Sequence, residues 1–336
     1  MKEVVAASLA FLVVASPLQA EPVADFYAGK SINLFIGYSA GGGYDLYARL
    51  LARHLGRNMP GKPNIVPQNM PGAGSLKVAT YINGVAPRDG TAIGTFARGM
   101  PIYPLLFAPD FDGAKLGYLG SITSDTSVCI TWNNSKIKSW DDLMTKPSVF
   151  GGEGKGSDPD MFATLLREEF KANLKLVSGY PGTADITLAM ERGEVDGLCG
   201  ISLSTIRAAH GDWLTQKKIN VVVQAATTPD PAIPGTPFML DLAKSPTQKQ
   251  IVALAVAPQA MARPFVTPPD VPAERLKALQ EAFDKTMKDP EFLADAQKSK
   301  LDVNPMTGLE IATMVRELYK TPQDVVQATA RVLGAK

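Results

Sequence analysis

From Ile32 onward the chain alternates short runs of β-branched and aromatic residues with amphipathic stretches of helical period. That alternation restricts it to an α/β fold of βαβ units on mostly parallel sheets with flanking helices. The strand-like runs are 32–37, 64–68, 91–96, 127–132, 149–151, 174–178, 195–199 and 219–225. Leu46 and Leu50, with Tyr47, Leu51 and Leu55 beside them, make i, i+4 rows on one helix, and Phe162, Leu166 and Phe170 make another after Asp158-Pro159. Further helices are expected from Thr183 through Ile186 and Met190 to Gly193, from Pro272 through Leu276, Leu279, Phe283 and Met287 to Asp289-Pro290, and over 309–318 and 325–332. A chain of 336 residues, 20% of them charged, is long enough for two lobes with separate cores. The expected division is 21–124 with 226–336 for the first lobe and 125–225 for the second, the Pro-rich stretch 228–237 marking the chain's return.

The first residues carry Lys2, an apolar run from Val4 to Val14, and Leu18-Gln19-Ala20 ahead of Glu21-Pro22. This is the pattern of a signal peptide over 1–20, so the mature chain is expected to be exported to the periplasm. The run falls short of the roughly 20 apolar residues that span a bilayer, and no Cys near the cleavage point offers a lipid anchor. A formal net charge of +1, with acids and bases interspersed and no Lys or Arg run, argues against nucleic acid as a partner. Two cysteines, Cys129 and Cys199, exclude a four-Cys metal site and a disulfide scaffold; an oxidising compartment would permit them to pair, and apolar strands would equally hold two buried thiols.

Chemistry is concentrated in Gly-rich loops. Tyr38-Ser39-Ala40-Gly41-Gly42-Gly43-Tyr44-Asp45 joins the first strand to the first long helix, where accessible N–H groups at a helix start can hold an anion without a cationic side chain. Its glycines fit neither the dinucleotide fingerprint nor the Walker pattern. Gly37 to Gly41 also spells Gly-x-Ser-x-Gly, the elbow of a serine hydrolase with Ser39 as nucleophile. Against that reading, the chain before Ser39 has little room for an oxyanion strand, and the two histidines, His54 and His210, sit in positions suited to solvated side chains. Asp45 opens the helix with Arg49 at i+4, fit either to support the helix start or to shape the loop around a ligand.

Ala73 and Gly74, in the loop 69–75, and Arg98, just after the third strand, lie at strand carboxyl ends, which face the ligand crevice in open α/β sheets. A guanidinium there matches a carboxylate bidentately. In the middle of the chain Gly156-Ser157-Asp158 and Tyr180-Pro181-Gly182-Thr183 repeat the loop-to-helix arrangement, with Thr183 expected as N-cap. Two such starts in separate lobes suggest a clamp on one small anion, with Tyr38, Ser39, Ala40, Gly41, Gly42, Asp45, Ala73, Gly74 and Arg98 from one side. Gly156, Ser157, Asp158, Tyr180, Gly182 and Thr183 come from the other. No catalytic residue, metal site or cofactor is expected.

Taken together, Gly41-Gly42-Gly43-Tyr44-Asp45 with Ala48-Arg49, Asn69-x-Pro71-Gly72-Ala73-Gly74, Pro87-Arg88-Asp89-Gly90-Thr91, Gly156-Ser157, Gly179-Tyr180-x-Gly182 and Gly193-Glu194-Val195-Asp196 resemble the extracytoplasmic binding receptors of tripartite tricarboxylate transporters, the Bug receptors. The resemblance runs over nearly the whole mature chain. It implies a two-lobed periplasmic-binding-protein (Venus flytrap) fold, a monomer that holds a small organic acid between lobes, and one large and one small membrane subunit as partners. A ligand sensor or scavenger without a transporter is a further reading. Tyr44 departs from the family's small residue and could narrow the pocket or stack on a ring, and the stretch 58–67 carries three prolines. Asp158 would disfavour a second ligand carboxylate and favour a hydroxyl or amine if it faces the crevice, or it simply caps its own helix.

Overall fold

The computed structural model describes residues 22–108 and 111–335. The signal peptide expected over 1–20 lies outside the described residues. Two sheets organise the chain. The six-stranded sheet contains β1 (Ser31–Ile36), β2 (Asn64–Asn69), β3 (Ala92–Thr95), β4 (Gly117–Ser121), β10 (Pro264–Thr267) and β11 (Met306–Thr307), in the order β11-β4-β10-β3-β1-β2. The five-stranded sheet contains β5 (Ser127–Trp132), β6 (Ser148–Gly151), β7 (Leu174–Val177), β8 (Gly197–Ser202) and β9 (Ile219–Ala225), in the order β7-β6-β8-β5-β9.

Both sheets are mixed rather than mostly parallel. The βαβ portions β1-β2, β1-β3, β6-β7 and β6-β8 are parallel, whereas β10 runs antiparallel to β3 and β4, and β5 antiparallel to β8 and β9. Strand β10 arrives late in sequence and inserts between β3 and β4, so no crossover helix fixes its direction. Pro67 is tolerated in β2 because that strand is at the sheet edge, where its missing N–H costs no ladder bond.

Alternation along the strands sends side chains to a helical layer on each face. Ile32, Leu34 and Ile36 of β1 pack with Tyr47, Leu51 and Leu55 of the Gly43–Asn58 helix and with Leu279 and Phe283 of the Ala273–Met287 helix. Phe35 points the other way, into Val78, Ile82, Ile311 and Val315. In the five-stranded sheet Val128 and Ile130 meet Ile186, Met190 and Trp213, while Cys129 faces Phe150, Phe162 and Leu166. That second cluster also takes in Val252 and Leu254 of the Pro246–Val256 helix and Val325 and Val326 of the Gln323–Val332 helix. Cys129 on β5 and Cys199 on the adjacent β8 are joined as a disulfide, which resolves the alternatives the sequence left open. No helix among the described residues is long and apolar enough to cross a membrane.

Candidate functional site: the seam between the two sheets

The loops that follow β1, β2 and β3 meet the helix starts of the five-stranded half, and their contacts draw the two halves together. Ser39 donates its hydroxyl to Asp185 Oδ2 (2.6 Å) and its N–H to Pro181 O (3.3 Å), and Gly74 N–H donates to Glu153 O (3.1 Å). Close approach is possible only because the facing positions lack side chains. A Cβ on Gly74, whose φ is +61°, would lie 2.6 Å from Gly154 O, and one on Gly182 would lie 2.6 Å from Ser39 Oγ.

Behind this seam is a cavity of about 30 Å³, room for roughly one or two water molecules. Tyr38, Gly42, Gly43, Tyr44, Arg98 and Arg263 line it from the six-stranded half, and Glu153, Asp158, Thr183, Ser202 and Thr205 from the other. Gly42 and Gly43 open the 16-residue Gly43–Asn58 helix, and the N–H groups of Gly42, Gly43 and Tyr44 make no hydrogen bond among the described residues. The aromatic at Tyr44 stacks on Tyr38 with ring centroids 4.7 Å apart and so narrows the cavity.

Arg98 is 1% exposed and forms an ion pair across the seam, its Nε 3.1 Å from Asp158 Oδ2. It also donates to Gln259 Oε1 (2.8 Å) and Ser202 Oγ (2.6 Å), while Asp158 accepts from Ser127 (2.8 Å) and Gln259 Nε2 (3.0 Å). Burial alone would depress the guanidinium, but Asp158 beside it more than compensates and holds Arg98 charged. Arg263, equally buried, donates to Thr205 Oγ1 (3.1 Å) and to Asp125 Oδ2 (3.4 Å), and lies over the rings of Tyr44 (4.8 Å) and Tyr47 (5.0 Å).

Two expectations for helix starts need correction. Asp158 does not cap its helix: Ser157 is the N-cap of Asp158–Glu168, and Asp158 turns to Arg98 because a buried carboxylate is held far better by a buried cation than by its own helix end. Thr183 is the first residue of its helix, and the extended Gly182 is the N-cap. Asp160 organises the loop before Asp158, accepting from the N–H groups of Glu153 (2.6 Å) and Gly154 (2.7 Å). Those two amides are therefore already satisfied by a carboxylate of the chain itself.

Asp45 likewise shapes the first loop, accepting from Gly41 N–H (3.0 Å), Arg49 Nε (2.9 Å) and Asn69 Nδ2 (2.8 Å). Burial opposes its ionisation, yet the hydrogen bonds from Arg49, Gly41 and Asn69 prevail and hold its carboxyl below the ordinary value. Because the folded value is depressed, its stabilising contribution is complete above the unfolded carboxylate value, about pH 4, and is lost as pH falls through the lower folded value. Asp45→Asn is expected to cost about 1–2 kcal/mol in urea unfolding at pH 7. The gap between variant and parent should shrink at pH 3, and an unchanged gap would contradict this role.

No protein-family model matches the chain. A curated relative described as a UPF0065 protein in the gbd 5′ region of Cupriavidus necator is 25% identical over 332 residues, covering 96% of this chain and 94% of that one. Among solved structures, the periplasmic binding protein BugD superposes with a TM-score of 0.73 at 18% identity, over 91% of this chain and 98% of that one. This chain has the Bug-type periplasmic-binding-protein fold. MatC from Rhodopseudomonas palustris, solved with bound malate, superposes with a TM-score of 0.69 at 18% identity, over 89% of this chain and 99% of that one.

Within the Bug-type fold, the candidate residues divide into four groups. Tyr38, Gly42, Arg98, Asp158 and Thr183 line the cavity, and Ser39, Gly74 and Gly182 form the seam over it. Ala40, Gly41 and Ala73 are exposed beside the seam. The remaining candidates are not brought to the cavity: Asp45 turns back onto its loop, Gly156 packs against the ring of Tyr103, Ser157 donates its hydroxyl to Gly154 O (2.8 Å), and Tyr180 rests on the Ile186 cluster. Glu153, Ser202, Thr205 and Arg263 were not singled out from sequence. Glu153 lies in the Gly-rich run 151–156 that leads to Asp158, and Ser202 ends β8, where the strand-end rule would have found it; Arg263 and Thr205 carry no motif. Both histidines are engaged away from Ser39: His54 Nε2 meets Asp295 (2.8 Å), and His210 stacks on Trp213 at 3.8 Å. The Gly-x-Ser-x-Gly motif therefore has no imidazole partner among the described residues.

Proposed function

We propose that the chain is an extracytoplasmic receptor that closes its two halves over a small carboxylic acid and presents it to the large and small membrane subunits of a tripartite tricarboxylate-type transporter. The observation that carries this reading is the cavity between the halves, where N–H groups of Gly42, Gly43 and Tyr44 without a partner among the described residues open a long helix and two guanidiniums stand close by. A ligand carboxylate at that helix start receives several N–H donors and the positive end of the helix dipole. MatC, which shares the fold, was solved with malate. At about 30 Å³ the cavity is smaller than any dicarboxylate, so solute enters when the seam opens, and a solute touching both halves favours the closed form.

The reading also takes in export by the segment 1–20 and function as a monomer without catalysis. It is tested by titrating the mature chain, from residue 21 onward, with mono-, di- and tricarboxylates in a calorimeter and by thermal unfolding. A specific acid is expected to add about 2.7 kcal/mol of stability at a hundredfold excess over Kd. Uptake of the same acid should require the membrane subunits together with this protein. Absence of any acid that binds would reject the receptor reading, and binding without transporter-dependent uptake would leave only a sensor or scavenger.

A further inference from the structure

Four buried polar atoms on the side chains lining the cavity have no hydrogen-bond partner among the described residues, and they divide by sign. Arg98 Nε and Arg263 Nε belong to the six-stranded half, Glu153 Oε1 and Asp158 Oδ1 to the five-stranded half. All four side chains are at least nine-tenths buried. Arg98 Nε is near Asp158 Oδ2 but off the direction its N–H takes. The asymmetry matches a solute with a negative end and a positive end. The negative end belongs at the Gly42–Tyr44 amides beside the arginines, and the other end meets two carboxyl oxygens.

A carboxylate placed against Glu153 and Asp158 would add a third acidic group to a buried site, whereas an ammonium offers three donors and the opposite charge. We propose that Glu153 and Asp158 form the half of the cavity that receives a positively charged nitrogen, so that the solute is a small carboxylic acid that also carries a protonated amine. This inference rests on the receptor reading above. The water-sized cavity already admits a group about as large as an ammonium; the rest of the solute is accommodated as the seam opens.

Glu153 gives the proposal a second readout. Burial first, and then Asp160 and Asp158, push its carboxyl well above the ordinary value and favour its protonated form. The groups facing it are Asp158 and Asp160 from the helix that follows its loop, Tyr38 from the loop after β1, and Asp185 from the Thr183–Glu191 helix. None of these is a cation, and Arg98 is already paired with Asp158. An arriving ammonium therefore lowers the affinity of Glu153 for its proton, which leaves to solvent as the Glu153–ammonium pair forms. A solute without the amine leaves that proton in place.

The test is calorimetric titration of the mature wild-type chain with matched pairs, succinate against aspartate, glutarate against glutamate, and propionate against alanine, at pH 7.5. Each titration is repeated in two buffers of different ionisation heat. For at least one pair the amine-bearing member is expected to bind about ten- to a hundredfold more tightly, with release of up to one proton per solute. Glu153→Gln should reduce that affinity ratio by about tenfold and abolish the proton release. If the variant fails to fold, the wild-type proton count still decides. Equal or tighter binding of the amine-free members, with no proton released, overturns the inference and leaves the receptor reading standing. Failure of every member of every pair to bind overturns both.

Discussion

Replacing Asp158 with Ala is expected to open the protein. The substitution leaves Arg98, 1% exposed, with Gln259 and Ser202 as neutral partners and no carboxylate. Removing one member of a buried ion pair typically costs about 3–5 kcal/mol, most of it from the charge left behind. Here the cost has an outlet. Arg98 follows β3 of one sheet and Asp158 begins a helix of the other half, so separating the halves hydrates the guanidinium without unfolding either core. The penalty therefore falls mainly on the closed form. Small-angle scattering of the solute-free variant should give a larger radius of gyration than the parent. Arg98→Met combined with Asp158→Leu should recover most of the compactness, since an apolar pair removes both charges. Scattering curves that coincide for Asp158→Ala and the parent would show that the pair does not hold the halves together.

Loss of the Cys129–Cys199 bond should be of similar size. The bridge spans a sequence separation of 70 residues, and chain-entropy reasoning assigns a cross-link of that length about 4 kcal/mol through restriction of the unfolded chain. Both cysteines are buried between β5 and β8 in the cluster around Phe150 and Phe162, so the folded state loses little contact when they are separated. Urea unfolding of the mature chain with and without a strong reductant, alongside Cys129→Ala with Cys199→Ala, measures the difference. An identical midpoint in both conditions would mean that the bridge is absent or restrains nothing. A stabilising bridge of this kind suits a chain proposed to work in an oxidising compartment.

Strands β5 and β9 were legible to the residue because each is a run of β-branched and apolar residues. Strands β4, β10 and β11 were not. β4 contains Gly117 and Gly120, the latter at φ +156° where a Cβ would strike the ring of Phe283, β10 begins with Pro264, and β11 has two residues. Their strand character comes from the neighbours they pair with, a tertiary effect that local propensity does not contain. In the site, the loops announced themselves through glycine, but the side chains between them did not. Both readings offered for Asp158 were local or ligand-centred, and the structure gives it a partner far away in sequence that no spacing rule specifies. Arg263 and Thr205 meet only because β10 inserts beside β3 and the helix after β8 points back toward the seam.

The Gln323–Val332 helix has a consequence for the order in which the molecule can form. Val325, Val326 and Leu333 complete the cluster that also holds Phe150, Phe162 and Leu166, and Tyr319 hydroxyl reaches back to Pro101 O. The segment carrying β5 to β9 therefore emerges during synthesis well before the helix that covers one of its faces. Contacts of such long sequence separation are slow to form, because loop closure must precede any gain from burial. For a chain proposed to be exported, that delay is useful: until its last helix arrives, the nascent middle segment lacks part of the apolar surface against which it would settle prematurely.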